Sequence, residues 1–387
     1  MEPIEDLHVK LNGIRRRNED QNHYFFPHQA VCELIEPSVL RKTLKGKQIK
    51  PYEIEEAAHY LEERGGRRTF AVLVLLKRPH LFPYFIKDDK LQHADIDHRM
   101  PYGIEKLEEL LSPPVSHEFW DKQWEFTAPF FSDSSFARVL PDEFILPFIK
   151  KDKLLGSGAL GHVYEILIEP CYLPASPSWQ GKVGCNGTFI LIFRPLISLK
   201  VVRKEFIATC DAAESPRPAF EKELHNLSML RLIKHPNIVE MLAAYTFKGK
   251  HNLIFQKASD KTLGNLLEHP RPRQFASLES VIDALSGLCS ALHAVHEFHF
   301  PDLSLIGCHH DLKPDNVLVH NDSFLLADFG LSIFKKSNEG SDTSFKQVRG
   351  DYIAPECQDL EDLSKKNLIR RLSDIWSLGC IMLEALT

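Results

Sequence analysis

The run Cys308-His309-His310-Asp311-Leu312-Lys313-Pro314-Asp315-Asn316-Val317-Leu318-Val319 sets an acid, a lysine and an amide close together and then turns apolar. A hydrophobic core has no use for that polar cluster, whereas a catalytic loop leading into a strand does. A second signal lies upstream, where Gly156-Ser157-Gly158-Ala159-Leu160-Gly161-His162-Val163 fits G-x-G-x-x-G-x-V. Glycines at these spacings permit backbone angles and close approaches that a Cβ forbids, so that backbone amides can cover phosphates. Standing alone, the pattern would read first as an ordinary glycine turn. A dinucleotide fingerprint requires a helix directly after it, yet Val163-Tyr164-Glu165-Ile166-Leu167-Ile168 continues as a strand.

These residues need elements to hold them, and the chain from about residue 142 supplies candidates in order. Glu169 to Pro195 is rich in Pro, Gly, Ser and Trp and reads as an insertion, after which Ile197-Ser198-Leu199-Lys200-Val201-Val202 recovers strand character. A helix from near Pro218 carries Leu224, Leu227 and Leu230 on one face, with Glu223 beside them and Glu221 in reserve. Asn252 to Phe255 forms a further strand. Ser277 to His296 is an amphipathic helix, capped by Ser277 or Ser280, with Val281, Leu285, Leu288, Leu292 and Val295 as its stripe. His293 and His296 lack a third ligand and read as packing or surface residues. Asp328-Phe329-Gly330 begins twelve residues after Asn316, followed by Ala354-Pro355-Glu356 and Ser373-Asp374-Ile375-Trp376-Ser377-Leu378-Gly379.

Residues 1 to about 140 read as a separate, mainly helical region. Expected helices are Val39 to Leu44 with Ser38 as cap, Glu53 to Arg64 ended by Gly65-Gly66, and Gly103 to Leu111; for Phe70 to Leu76 periodicity does not decide between a buried strand and a buried helix, and Thr69 as a cap with Lys77-Arg78-Pro79 as a terminus favours helix. The aromatic residues Phe119, Trp120, Trp124, Phe126, Phe130 and Phe131 read as a hydrophobic linker docking on the next domain. At 387 residues, two domains or one domain with an extension is the expectation. With 43% hydrophobic and 26% charged residues the composition is globular, and a net charge of -6 without a basic cluster argues against a nucleic-acid surface. The N-terminus has no secretory pattern, and no apolar run is read as approaching membrane-spanning length, so the expected setting is intracellular, cytoplasmic or nuclear. Eight cysteines without a C-x-x-C pair suggest neither a zinc site nor a disulfide framework. Cys171 and Cys185 are read as reduced thiols.

From 150 to 387 these motifs, in this order, resemble the protein kinase family. Asp311 and Asn316 match the H-R-D-L-x-x-x-N loop, with His310 where the arginine stands, and the Asp311-Leu312-Lys313-Pro314-Asp315-Asn316 version resembles the serine/threonine branch. The resemblance implies an α+β, bilobal kinase-like fold. An N-lobe at 141–260, with a strand 2 to strand 3 insertion at 169–195, would precede a partial C-lobe at 261–387, and the helical region at 1–140 would keep an unassigned role.

It implies an ATP-dependent protein serine/threonine kinase using Mg2+. Asp311 would orient the substrate hydroxyl and accept its proton, Lys313 would neutralise the transferring phosphate, and Asn316 and Asp328 would hold the metal. Lys200, anchored by Glu223, would fix the remaining phosphates, with Ser198 in the usual alanine position. Gly156, Ser157, Gly158, Ala159, Gly161 and Val163 would cover the nucleotide. The backbone of Gln256 and Ala258 would bond adenine behind Phe255, and Leu318 is counted among the nucleotide contacts. Implied partners are ATP and a protein substrate, with no nucleic acid or membrane, and the oligomeric state stays open.

Three departures qualify the expectation. His310 is mostly uncharged near neutrality, so phosphorylation at Ser332, Ser337, Ser341, Thr343 or Ser344 is expected to be dispensable. Gly350-Asp351-Tyr352 is shorter than the usual stretch before A-P-E. The chain as given stops at Thr387, within the expected central helix, which would leave Glu356 without its arginine and apolar faces uncovered. The alternatives are a pseudokinase scaffold that binds nucleotide or a partner without transfer, and a chain whose N-terminal region is the working part, regulated by the rest.

Overall fold

The computed structural model describes residues 2–46, 49–88, 95–131, 137–150, 152–158, 161–173, 198–207, 215–258, 261–300, 303–336, 343–344, 350–357, 368–369 and 371–387. The chain divides into two compact units, Met1–Lys153 with Glu165–Lys200, and Leu154–Tyr164 with Val201–Thr387.

The first unit is mainly helical: α1 (Pro3–Ile14), α2 (His28–Leu34), α3 (Pro37–Leu44), α4 (Pro51–Glu63), α5 (Arg67–Leu75), α6 (Phe82–Asp88), α7 (Ile104–Leu110) and α8 (Pro113–Gln123). Proline opens α1, α3, α4 and α8, where its missing N–H removes no helical bond. The cap of α3 is therefore Glu36, with Pro37 and not Ser38 at the helix start. Nor does Thr69 cap α5. It lies within the helix, and the remote Asp97 does the capping, its carboxylate accepting from Arg68 N at 2.8 Å, Thr69 N at 2.9 Å and Thr69 Oγ1 at 2.8 Å. Gly66, at φ +87°, supplies the left-handed turn between α4 and α5. The core gathers apolar faces from all eight helices.

The aromatic run expected to be a linker belongs to this core. Phe119 on α8 is fully buried, stacking on Phe85 at 5.3 Å, while Phe126 stacks on Phe26 at 4.3 Å. The first residues of the expected insertion also join this unit: Phe131 N donates to Tyr172 O at 2.7 Å, and His28 N donates to Tyr172 Oη at 3.0 Å. Residues 174–195 of that insertion, with Cys185, lie outside the described residues. Short strands β1 (Arg16–Asn18) and β2 (His23–Phe25) form a hairpin, and β3 is Arg138–Leu140.

The strands β4 (Lys153–Gly158), β5 (Gly161–Ile168), β6 (Leu199–Phe206), β7 (Met241–Phe247) and β8 (Lys250–Gln256) run in the order β7-β8-β6-β5-β4. The β6–β8 register pairs Val202 with Phe255 and Lys204 with Leu253, antiparallel. Helix α9 (Arg217–Ile233) packs on β7 and β8. The remainder is α10 (Leu263–Leu267), α11 (Leu278–His296), a sheet of β9 (Phe298–Phe300), β10 (Leu303–Cys308) and β13 (Ile333–Lys336), the hairpin β11 (Val317–His320) with β12 (Ser323–Leu326), the pair β14 (Thr343–Ser344) with β15 (Leu368–Ile369), and α12 (Arg371–Leu386).

Ser277 caps α11 by accepting from Ser280 N at 3.2 Å. Contrary to the sequence expectation, α11 is long and apolar enough, by length and composition only, to cross a membrane. Its stripe of Val281, Leu285, Leu288, Leu292 and Val295 is buried, and the helix packs on β10 and β12, as a core helix does.

Candidate functional site

Three charged side chains meet between β6, α9 and the segment after β12. Lys204 Nζ donates to Glu223 Oε1 at 2.8 Å and Oε2 at 2.7 Å, and to Asp328 Oδ1 at 3.0 Å. Lys204 thus holds the partner expected for Lys200. Lys200 is a solvent-facing residue, its side chain 60% exposed and 3.4 Å from Glu165. The two lysines are four residues apart, so strand alternation puts them on the same side and cannot choose between them. The choice is made by how far β6 runs, and it runs to Phe206. Val202, two residues before Lys204, consequently replaces Ser198 in the position expected of the alanine, and Ser198 precedes the strand.

Charge and burial set the protonation of this trio. Glu223 is 1% exposed, and burial pushes its carboxyl up to about 7 against the opposing pull of Lys204. Burial alone would lower Lys204, but the Glu223 and Asp328 carboxylates outweigh it and hold the ammonium above its ordinary value. Asp328 is held low: burial opposes ionisation, and the Lys204 ammonium overcomes it.

The loop after β10 is organised around a buried carboxylate on α12. Asp374 accepts from His309 N at 2.8 Å, His310 N at 2.9 Å and His296 Nε2 at 2.9 Å. Although burial opposes its charge, the hydrogen bond from His296 and the neighbouring histidines keep its carboxyl below the ordinary value. His309 Nε2 faces Ala327 O at 3.0 Å, and its Nδ1 accepts from Asp311 N at 3.3 Å. His310 adopts φ +67°, and burial pushes its imidazole down to about 4. Asp328 also lies in the left-handed region, at φ +60°. Non-glycine residues held there by surrounding bonds concentrate where geometry serves a site.

Within the loop, Lys313 Nζ donates to the Asp311 carboxylate at 2.9 and 3.1 Å, and Asn316 Nδ2 donates to Asp311 Oδ2 at 2.8 Å and Asp311 O at 2.7 Å. Ala327 N donates to Asn316 O at 3.0 Å, joining this loop to the residue before Asp328. Among the described residues, no group of three or more His, Cys, Asp or Glu could hold a metal by itself. The donor set fits magnesium bound with help from phosphate: the ionised Asp328, and the Asn316 oxygen left on offer once its nitrogen is committed to Asp311.

Gly156, Ser157 and Gly158 end the exposed strand β4, and Gly161 and Val163 begin β5, as a hairpin requires, while Ala159 lies outside the described residues. At Gly161 a Cβ would collide with the Glu205 carbonyl, so only glycine fits. The Gln256 amide donates to Glu240 O at 3.1 Å, and Ala258 is buried directly beyond the strand. Leu318 is half-buried on β11. Of the expected phosphorylation sites, Ser332 is fully buried with its hydroxyl donating to His309 O at 3.1 Å, which withdraws it from modification; Ser337 and Ser341 lie outside the described residues. Glu356 is exposed in a short turn. Sequence reasoning missed Lys204, Asp374, His296 and Asn226. The Val201-Val202-Arg203-Lys204 run carried a signal for the first, and Asp374 stood in a motif already singled out without a role.

Comparison with known proteins places this geometry. Residues 186–387 match the family model described as protein kinase domain. The chain is 32% identical to human cyclin-dependent kinase-like 5 over 165 residues, 42% of this chain and 16% of that protein. It is 27% identical to mitogen-activated protein kinase kinase kinase 1a of Physcomitrium patens over 308 residues, 78% of this chain and 32% of that protein. It is 26% identical to serine/threonine-protein kinase nekl-2 of Caenorhabditis elegans over 197 residues, 48% of this chain and 49% of that protein. The matched stretch thus spans less than half of each relative's length.

Proposed function

The chain belongs to the protein kinase family, and from that premise we propose that it transfers the γ-phosphoryl group of ATP to a serine or threonine hydroxyl of a protein. The observation that carries the proposal is the assembled Lys204–Glu223–Asp328 trio, joined through Ala327 and Asn316 to the Asp311–Lys313 pair. A scaffold that only displays a surface has no need of these charges in one place.

Phosphoryl transfer leaves little covalent work to a protein, so positioning and charge stabilisation carry the rate. Lys204, held by Glu223, fixes the non-transferred phosphates. Asp311 orients the acceptor hydroxyl and takes its proton, steadied by Asn316 from one side. Lys313, already on the Asp311 carboxylate, neutralises charge on the transferring group. Asn316 and Asp328 would hold magnesium, which when bound supplies further neutralisation at the phosphates. The glycine hairpin covers the nucleotide, with Gly161 allowing the close strand approach.

The first unit has its own core, and we assign it an interaction or regulatory role, in an intracellular setting in keeping with free thiols at Cys32, Cys171, Cys289, Cys308, Cys357 and Cys380. Thermal shift with Mg-ATP, paired with turnover on a generic protein substrate, tests the reading. A shift and serine or threonine phosphorylation, with turnover lost in Asp328→Ala, is expected. A shift without turnover would instead make the chain a nucleotide-binding scaffold, and the absence of both responses would overturn the nucleotide site itself.

A further inference from the structure

Helix α9 contributes more to the site than Glu223. Asn226, three residues on and so on the same helix face, is 3% exposed, and its Nδ2 donates to both Phe329 O and Ser332 O at 2.8 Å. The turn between those carbonyls is closed by Ser332 N donating to Phe329 O at 3.2 Å. From the other side, Ser332 Oγ donates to His309 O at 3.1 Å, while Phe329 packs edge-on against the His309 ring at 5.0 Å. Lys222 Nζ adds a bond to Leu331 O at 3.1 Å. The segment following Asp328 is thereby tied to the helix that carries Glu223 and to the loop that carries Asp311.

We propose that Asn226 is a positioning residue which, with Ser332, fastens the 329–332 turn between α9 and the catalytic loop and so keeps Asp328 facing Lys204 without any covalent modification. Asn226 touches neither substrate nor reacting atoms in this account. It sets where Asp328 sits. One amide serves two carbonyls, so a side chain of the same shape without N–H donors would lose both bonds and leave two buried acceptors facing each other across a carboxylate or a methyl. The arrangement also links α9 to Asp328 by two routes, the Lys204 ion pair and the Asn226 bridge, so that displacing the helix would disturb both together.

The inference rests on reading the site as a nucleotide site, and its test separates the two. Hydrogen exchange is followed by mass spectrometry on the full chain without nucleotide, in the parent, Asn226→Asp, Asn226→Gln and Ser332→Ala. Asn226→Asp is expected to accelerate exchange over 329–332 by about 10- to 100-fold, the size that losing one or two buried hydrogen bonds implies, with α11 unchanged. Asn226→Gln, which keeps the donors, restores part of the protection, and Ser332→Ala gives a smaller acceleration in the same segment. In turnover assays Asn226→Asp lowers kcat and leaves the KM for protein substrate near the parent value. Should Asn226→Asp fail to fold, Ser332→Ala and the Gln variant carry the comparison. Parent-like exchange over 329–332 in the folded variants, or acceleration spread equally over α11, overturns the proposal. A chain that ignores Mg-ATP altogether refutes the nucleotide reading, while the exchange result still decides whether Asn226 fastens the turn.

Discussion

Replacing Lys204 by methionine is the perturbation that separates this site from the arrangement expected on sequence, because Lys200→Met is its matched control. Lys204 is 13% exposed and bridges two carboxylates, one of them 2% exposed at the side chain. Removing one partner of a buried pair costs about 3–5 kcal/mol. Here Glu223 already takes a proton at about 7, so the loss falls near the low end, about 3 kcal/mol at pH 8. The variant raises the Glu223 carboxyl further, so between pH 8 and 7 the variant holds a proton that the parent is only part-way to taking up. The difference therefore shrinks by up to about 1.4 kcal/mol over that unit. Lys200→Met removes a largely exposed lysine from a half-covered Glu165 and should change stability by less than about 1 kcal/mol. Urea denaturation at the two pH values reads stability, and titration with Mg-ATP reads affinity, where losing charge-assisted bonds predicts about a 10- to 100-fold weakening for Lys204→Met alone. Loss of affinity in Lys200→Met with retention in Lys204→Met would refute the reasoning.

Further outcomes follow from named groups. Burial raises Glu223 to about 7 from an ordinary 4.5, so the folded chain holds that proton more tightly than the unfolded one; this group's contribution to stability falls as pH rises between those values and is flat above. Below about 7 the neutral Glu223 no longer pairs with Lys204, and nucleotide affinity should show an acid limb there that Glu223→Gln abolishes in a pH-resolved titration. With His310 pushed down to about 4 and Ser332 buried, phosphatase treatment should leave transfer within about 2-fold of the untreated protein, and abolition of activity would contradict this. Asp97→Ala leaves the Arg68 and Thr69 amides in the first turn of α5 and the Thr69 hydroxyl without their acceptor, and should destabilise the first unit by about 3 kcal/mol in urea, with turnover followed separately.

Much of the site was legible because its residues lie close together along the chain. Asp311, Lys313 and Asn316 form one loop, and their mutual bonds need only a few residues of backbone. Glu223 could be chosen over Glu221 because the leucine spacing of α9 fixes its buried face, and Glu221 indeed pairs with Arg217 at the surface. What was illegible depends on distances that sequence does not carry. The length of β6 decided between Lys200 and Lys204, and the insertion before it removed the usual reference point. Asp97 reaches Thr69 from 28 residues away, so no local pattern announced that α5 is capped from outside. Aromatic residues from 119 to 131 gave the same hydrophobic signal whether they docked as a linker or filled a core, and only the partners Phe26 and Phe85 distinguish the two. Membrane-spanning length was misjudged for α11 because its small and polar residues interrupt the apolar runs without lowering the average enough.

The central claim is that Asp311, placed by Lys313 and Asn316, activates a hydroxyl for phosphoryl transfer. It is tested most directly by labelled Mg-ATP transfer to a generic protein substrate, comparing the full chain with Asp311→Asn purified free of other kinases. Labelled phosphoserine or phosphothreonine is expected from the parent, with a fall of about 100-fold or more in the variant, as loss of a catalytic base implies. Equal transfer by the two proteins would contradict it.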